Sequence, residues 1–379
     1  MAPAPLWAGR RVVVCAGTGG VGKTTVSAAL ATAAACSGLR VLVMTIDPAR
    51  RLAQIFGLPM QAPKDASALY HPIPAARLAA HGLHVTGSLT AFLPDVKATF
   101  DDLMQRYAAS PEAAARIMGN TIYKNFSTAL AGSHEYAAVE TLYAAHASAD
   151  YDLIVLDTPP SQNVVDFLQA PRRILNFLDV SQVPKLLSGS LLTGRLSMRL
   201  FDIGEALVTR TLGKVVGADT LAEVGAFILS LRDMYAGFHQ RAGDVDALLR
   251  APELVYVLVG TPSPTQQRAM WQFDGELRTF GAKTGGVVLN RMHSAPVAAE
   301  HQGQLAAVLE QSLAGVPAAA QASIRAALEA EAAAAAQNNA AMAALAEKLT
   351  QATIIALPEM PPDLDELACL AKLAPYFMA

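Results

Sequence analysis

Residues Gly17-Thr18-Gly19-Gly20-Val21-Gly22-Lys23-Thr24 constrain this chain more than any other segment. They satisfy G-x-x-x-x-G-K-[ST] directly after the apolar run Arg11 to Ala16. An apolar strand that delivers the chain to a glycine-rich turn leaves backbone N–H groups free to surround phosphate oxygens. Lys23 then meets the β- and γ-phosphates, and the Thr24 hydroxyl ligates magnesium. The helix this motif requires is present, since Thr25 to Cys36 consists mainly of small residues able to pack closely on a sheet. Gly19, Gly20, Val21, Gly22, Lys23, Thr24 and Thr25 are therefore the candidate phosphate contacts.

Other apolar runs of strand length extend the reading: Val41 to Ile46, Leu153 to Leu156, Leu254 to Val259, Gly286 to Leu289 and Thr353 to Leu357. Each is short, rich in Val, Ile and Leu, and separated from the next by helical or loop sequence. Strands buried on both faces look this way, so the expected fold is α/β: a doubly wound, mostly parallel sheet of the P-loop NTPase type. Two intervals are too long for a minimal βα repeat. Residues about 89–142 and 168–249 read as mostly helical and are expected to form an inserted subdomain over one end of the sheet. Val224, Phe227, Ile228, Leu231, Met234, Tyr235 and Phe238, for example, recur at helical spacing. Residues about 295–348 are alanine-heavy, which favours a long helix or helical hairpin. No internal repeat is evident, so residues 1–379 read as one nucleotide-binding domain.

The composition, 53% hydrophobic with 16% charged residues, suits a large buried core, and the net charge of −3 gives no electrostatic case for nucleic acid. The N-terminus lacks a signal-like apolar region and no apolar stretch is long enough to span a bilayer, which predicts a cytoplasmic protein without an integral membrane segment.

Two more segments carry chemistry. Thr45-Ile46-Asp47-Pro48-Ala49-Arg50-Arg51 follows the second strand, on the ligand edge of such a sheet. Asp47 there can orient or deprotonate the water that attacks the γ-phosphate, with Arg50 and Arg51 neutralising developing charge. Equally, Asp47 can serve only as a helix N-cap before proline. The run Leu153-Ile154-Val155-Leu156-Asp157 ends in a carboxylate, in the form of a Walker B strand. Asp157 then holds a magnesium-bound water or Thr24, and Thr158-Pro159-Pro160-Ser161 can sense the γ-phosphate.

Taken in order and spacing, residues Gly17 to Thr25, Thr45 to Arg51, Ala131 to Glu135 and Asp157 to Ser161 resemble the ArsA/Get group of ATPases. That group belongs to the deviant-Walker, SIMIBI class of P-loop proteins that includes MinD and ParA. The likeness runs over nearly the whole chain and is greatest to single-unit bacterial members of anion-transporting type, whose Ala-Pro-Arg-Arg pattern matches Ala170 to Arg173. The resemblance implies a magnesium-dependent ATPase with ATP and Mg²⁺ as cofactors, working as a nucleotide-driven dimer. It makes Lys23, Asp47 and Asp157 catalytic, Thr24 and Asp157 the magnesium side, and Asn290 and Pro358 the adenine contacts.

Departures from the family's pattern matter too. Its usual lysine at the second loop position is Thr18 here. Arg50 or Arg51 substitutes, a paralogous partner chain supplies the cation, or the enzyme is slow. Metalloid-binding members use converging cysteines, whereas Cys15, Cys36 and Cys369 lie far apart in sequence and no C-x-x-C pair exists for zinc. His81 and His84, the one close histidine pair, read as surface residues. The Leu- and Met-rich segment Leu186 to Val216 reads either as a surface for a hydrophobic protein client or as buried core. Two functions follow: a dimeric switch, homo- or heteromeric, that binds or hands over a hydrophobic client, or an ATPase subunit energising anion or metalloid transport.

Overall fold

A computed structural model of the chain describes residues 4–45, 51–58, 69–93, 96–108, 110–120, 123–124, 133–158, 167–172, 235–295 and 302–378. Asp47, Arg50, the Thr-Pro-Pro-Ser segment beyond Thr158, Arg173 and the apolar segment Leu186 to Val216 lie outside these residues, as does most of the interval 168–249.

The elements run β1 (Val12–Ala16), α1 (Lys23–Cys36), β2 (Arg40–Thr45), α2 (Arg51–Phe56), β3 (Tyr70–Pro72), α3 (Ala75–Ala79), β4 (Ser88–Phe92), α4 (Val96–Tyr107), α5 (Pro111–Gly119), α6 (Ser133–Ser148) and β5 (Leu153–Asp157). They continue as α7 (Tyr235–Leu248), β6 (Leu254–Gly260), α8 (Pro264–Phe280), β7 (Thr284–Met292), α9 (Gln302–Ser312), α10 (Ala318–Lys348), β8 (Thr353–Pro358), α11 (Glu366–Leu373) and α12 (Pro375–Met378). Among the described residues eight strands form one sheet in the order β3-β4-β2-β5-β1-β6-β7-β8. Among the described strands only the β3–β4 pair is antiparallel. The fold is thus the expected doubly wound α/β sheet of P-loop proteins.

All six strands expected from apolar runs are present. Two were not expected, β3 and β4. Strand β4 occupies the start of the interval read as helical, so helix there begins only at Val96. The central strands β1 and β5 are buried at every residue, which is why they read as continuous apolar runs. Edge strand β3, with its proline and its partly exposed Tyr70 and His71, carries no such signal.

Each face of the sheet has its own core. Val13, Cys15, Val43 and Val155 pack under α1, α2, α11 and α12, through Val26, Leu30, Phe56, Leu370 and Phe377. Val14, Leu42, Leu156 and Leu258 point to the opposite face, against Phe100, Tyr136, Val245, Phe273 and Leu345 of α4, α6, α7, α8 and α10. Alternate residues of one strand serving two cores is the period-two geometry of a sheet covered on both sides. Helix α1 is buried on nearly every side, and its alanines let it lie close to the strands.

The described part of the alanine-heavy interval holds two helices, α9 and α10, separated by residues 313–317. Helix α10 is 31 residues, about 46 Å long at the α-helical rise, with Ala335, Asn338, Ala341 and Leu345 facing inward. Among the described residues no helix is long and apolar enough to cross a membrane.

Candidate functional site

Parallel register brings the carboxyl ends of three strands together. Cys15 of β1 pairs with Asp157 of β5, and Thr45 of β2 pairs with the same aspartate from the other side. On leaving β1, the chain enters the glycine loop at the sheet edge where doubly wound folds receive ligands, between strands that wind off in opposite directions. Gly17 sits directly over β6, and a Cβ there would run into the Val259 carbonyl oxygen. Gly22 caps α1 with φ +89°, a left-handed conformation that glycine adopts without strain. Helix α1 then presents its N-terminal N–H groups to the loop's interior, where helix dipole and free donors favour an anion.

The side chains converge on Asp157, which is 1% exposed. Its Oδ2 accepts from the Thr24 hydroxyl at 2.7 Å and from the Thr45 hydroxyl at 3.1 Å. A buried carboxylate is costly unless hydrogen-bonded, and these two hydroxyls meet part of that requirement. Thr158 continues the arrangement, donating its hydroxyl to the Cys15 carbonyl at 2.8 Å and so fixing the chain just beyond Asp157 to β1. Lys23, also buried, donates to the Thr18 carbonyl at 2.9 Å. The loop's lysine therefore lies across the loop's own backbone.

Asn290, near the end of β7, is buried and donates its Nδ2 to the Val21 carbonyl at 2.9 Å. Its amide also fills the space a side chain at position 22 would need. Arg291 beside it has φ +60°, and the β7–β8 register shifts between Leu289 and Met292. That irregularity turns Asn290 toward the loop. Pro358 ends β8 opposite Met292. Lys23, Thr24, Asp157 and Asn290 are thus gathered around one loop, and Gly19, Gly20, Val21 and Thr25 belong to that loop and the first turn of its helix.

Arg51 stands apart from this group. It begins α2 with its guanidinium on Glu366 of α11 at 3.0 Å, both side chains exposed. The cysteines divide likewise: Cys15 is buried in β1, its thiol pushed up to about 12 by burial, while Cys36 ends α1 and Cys369 lies on α11. His84 is exposed, and His81 pairs with Asp365 at 3.3 Å.

Sequence reasoning named Thr45 and Thr158 only as members of their segments, without the contacts they make here, and passed over Gln266. The first two occupy strand-end positions next to Asp157, and only the strand order could have signalled their contacts. Gln266, in the first turn of α8, accepts from the Thr18 hydroxyl at 2.6 Å.

Fold and site together define a P-loop nucleotide-binding α/β protein. The family model for anion-transporting ATPases matches residues 10–212, more than half of the chain. The chain belongs to that family. An uncharacterized protein of Streptomyces coelicolor is 25% identical over 74% of this chain and 62% of its own length. A putative arsenical pump-driving ATPase of Halobacterium salinarum is 27% identical over 46% of this chain and 26% of its own. The ATPase get3 of Aspergillus terreus is 29% identical over 42% of this chain and 43% of its own. The chain therefore spans less than two thirds of each of these relatives.

Proposed function

We propose that this chain is a magnesium-dependent ATPase that binds ATP on the loop Gly17 to Thr24. The observation that carries the reading is the meeting of Thr24, on the first turn behind the glycine loop, with the buried Asp157 at 2.7 Å. Hard oxygen donors at that spacing suit magnesium, and Thr24 and Asp157 would hold it, Asp157 through a bound water. When bound, magnesium offsets negative charge on the β- and γ-phosphates.

The chain's own residues then have distinct tasks. Lys23 leaves or shares the Thr18 carbonyl to meet phosphate, and the backbone N–H groups around Gly19, Gly20, Val21 and Gly22 surround the oxygens. Thr25 adds a donor at the helix start. Asn290 and Pro358 receive the adenine. Asp47 orients the attacking water, and Arg50 is the cation beside it. The ion pair with Glu366 argues against Arg51 in that role. Residues 1–379 act as one ATPase unit, with the part of the interval 89–142 that is helical from Val96 onward and the interval near 168–249 as its helical subdomain.

The cycle built on this site is that of a cytoplasmic, nucleotide-driven dimer, formed with a second copy or with a paralogous chain, which binds or hands over a hydrophobic protein client. The similarity to a relative named get3 favours it. A second reading, an ATPase subunit energising anion or metalloid transport, is favoured by the family's description and by the relative named as arsenical pump-driving. The test is ATP hydrolysis with and without magnesium in the parent, in Lys23→Ala and in Asp47→Asn. The proposal expects magnesium-dependent turnover in the parent, none in Lys23→Ala, and retained ATP affinity with lost turnover in Asp47→Asn. Magnesium-independent turnover, or full activity in Lys23→Ala, overturns it. Asp47→Asn loaded with ATP separates the two readings, a protein client co-purifying in the first and an anion stimulating the parent's turnover in the second.

A further inference from the structure

The glycine loop is held from two sides. On one, Asn290 takes the Val21 carbonyl. On the other, Thr18 donates to Gln266 at 2.6 Å while its carbonyl receives the Lys23 ammonium at 2.9 Å. Thr18 therefore joins Gln266 to Lys23 through a single residue.

Gln266 stands on a firm base. Helix α8 starts after the turn that leaves β6, with Ser263 as N-cap accepting from the Gln266 N–H at 3.4 Å and Pro264 setting the first turn. Gln267 donates to the Pro262 carbonyl at 3.0 Å, closing the turn on itself. Strand β6 is paired with β1 along the whole of β1. The acceptor offered to Thr18 is thus fixed to the same sheet that fixes the start of the loop.

We propose that Gln266 is a positioning residue of the phosphate loop, holding the Thr18 peptide so that its carbonyl sets where the Lys23 ammonium rests. The proposal rests on the phosphate-loop reading for its purpose, though not for its geometry. With the tether in place, the Lys23 ammonium rests on the Thr18 carbonyl. Without it, the Thr18 peptide rotates and Lys23 loses a defined acceptor.

The experiment measures how fast Lys23 reacts with an amine-selective reagent, read by peptide mass spectrometry in the nucleotide-free full-length protein, then again with ATP and magnesium. Gln266→Met removes the acceptor at similar length, Thr18→Val removes the donor at similar shape, and Thr18→Ser keeps it. Labelling of Lys23 is expected to rise about threefold to tenfold in Gln266→Met and in Thr18→Val, the range set by one neutral hydrogen bond. Thr18→Ser should match the parent, and the double variant should react no faster than either single one. Unchanged labelling in Gln266→Met, or effects of the two variants that multiply, overturns the proposal. Protection of Lys23 by ATP in the parent reports separately on the phosphate-loop reading. Its absence would remove that reading and leave the tether measured. A variant that only loosened the fold would expose the buried Cys15 to a thiol reagent and lower thermal stability, which counts against a positioning role.

Discussion

The Thr24 hydroxyl donates to Asp157 at 2.7 Å, joining the first turn of α1 to the end of β5 across 133 residues of sequence. Thr45 adds a second donor to the same oxygen from the neighbouring strand. One buried carboxylate thereby ties together the carboxyl ends of β2 and β5 and the helix behind the glycine loop.

This relationship sets the first expectation. Thr24→Val keeps the shape of the side chain but removes the oxygen that would face magnesium, so hydrolysis should fall roughly 10²- to 10³-fold, as when one preorganised electrostatic contact is lost. Thr24→Ser should retain most of the activity. Initial rates at saturating ATP and magnesium decide it, and a Thr24→Val enzyme within a few-fold of the parent would refute the role.

Gly22 offers a second test, because two separate penalties meet there. Its φ of +89° costs an L-residue about 1–2 kcal/mol. An added Cβ would also strike the Asn290 amide. Gly22→Ala should therefore lower unfolding stability by more than the backbone term alone, and combining it with Asn290→Ala should recover only the steric part. Urea unfolding of the two single variants and the double provides the comparison. Full additivity of the two single effects would show that the amide does not press on position 22.

Much of this was legible in the sequence. The glycine loop and the aspartate ending β5 could be named because local motif and strand-end position determine them, Asn290 was named only through the family resemblance, and the six expected strands have apolar runs. Strands β3 and β4 were not legible. The first is short and partly exposed, and the second is a five-residue strand, Ser88-Leu89-Thr90-Ala91-Phe92, in which the polar Thr90 interrupts the apolar run. Nor were the contacts of Thr45, Thr158 and Gln266, which depend on which strands are neighbours. Asn290 shows the limit from another side: the family resemblance pointed to it as a base contact, and the fold adds a hydrogen bond to the loop that no motif encodes.

Helices α6 and α7 are joined by a buried ion pair whose one-sided loss is costly. Arg241 donates its Nε to Glu140 at 2.8 Å, its guanidinium lies 3.9 Å from the Tyr143 ring centroid, and the side chains are only 15% and 4% exposed. Arg241→Ala strands a buried carboxylate, so a loss of about 3–5 kcal/mol is expected in denaturant unfolding. Replacing both members together, as Glu140→Leu with Arg241→Met, should cost far less, because no charge is left unpaired. Equal costs for the single and double replacements would rule out this account.

A final expectation concerns pH. His293, just after β7, places Nδ1 2.9 Å from Glu331 of α10 and Nε2 3.3 Å from Glu359 beyond β8. The Glu331 hydrogen bond raises its pKa above the ordinary 6.5, opposed by partial burial and reinforced by the charge of Glu359. A folded pKa above the unfolded one means that the folded state binds the proton more tightly. The stabilisation is complete below the unfolded value and disappears as pH rises through the folded one. With the side chain 35% exposed, solvent screening keeps the effect small, about 1 kcal/mol or less. His293→Gln should accordingly lower the melting temperature most near about pH 5 to 6, where the imidazolium forms, and hardly at all near about pH 9. Added salt should shrink the difference at the acidic end. Melting curves of the parent and His293→Gln across that range test the sign directly: a gap that widens as pH rises would mean that neutral histidine, not the imidazolium, holds α10 to the end of β7.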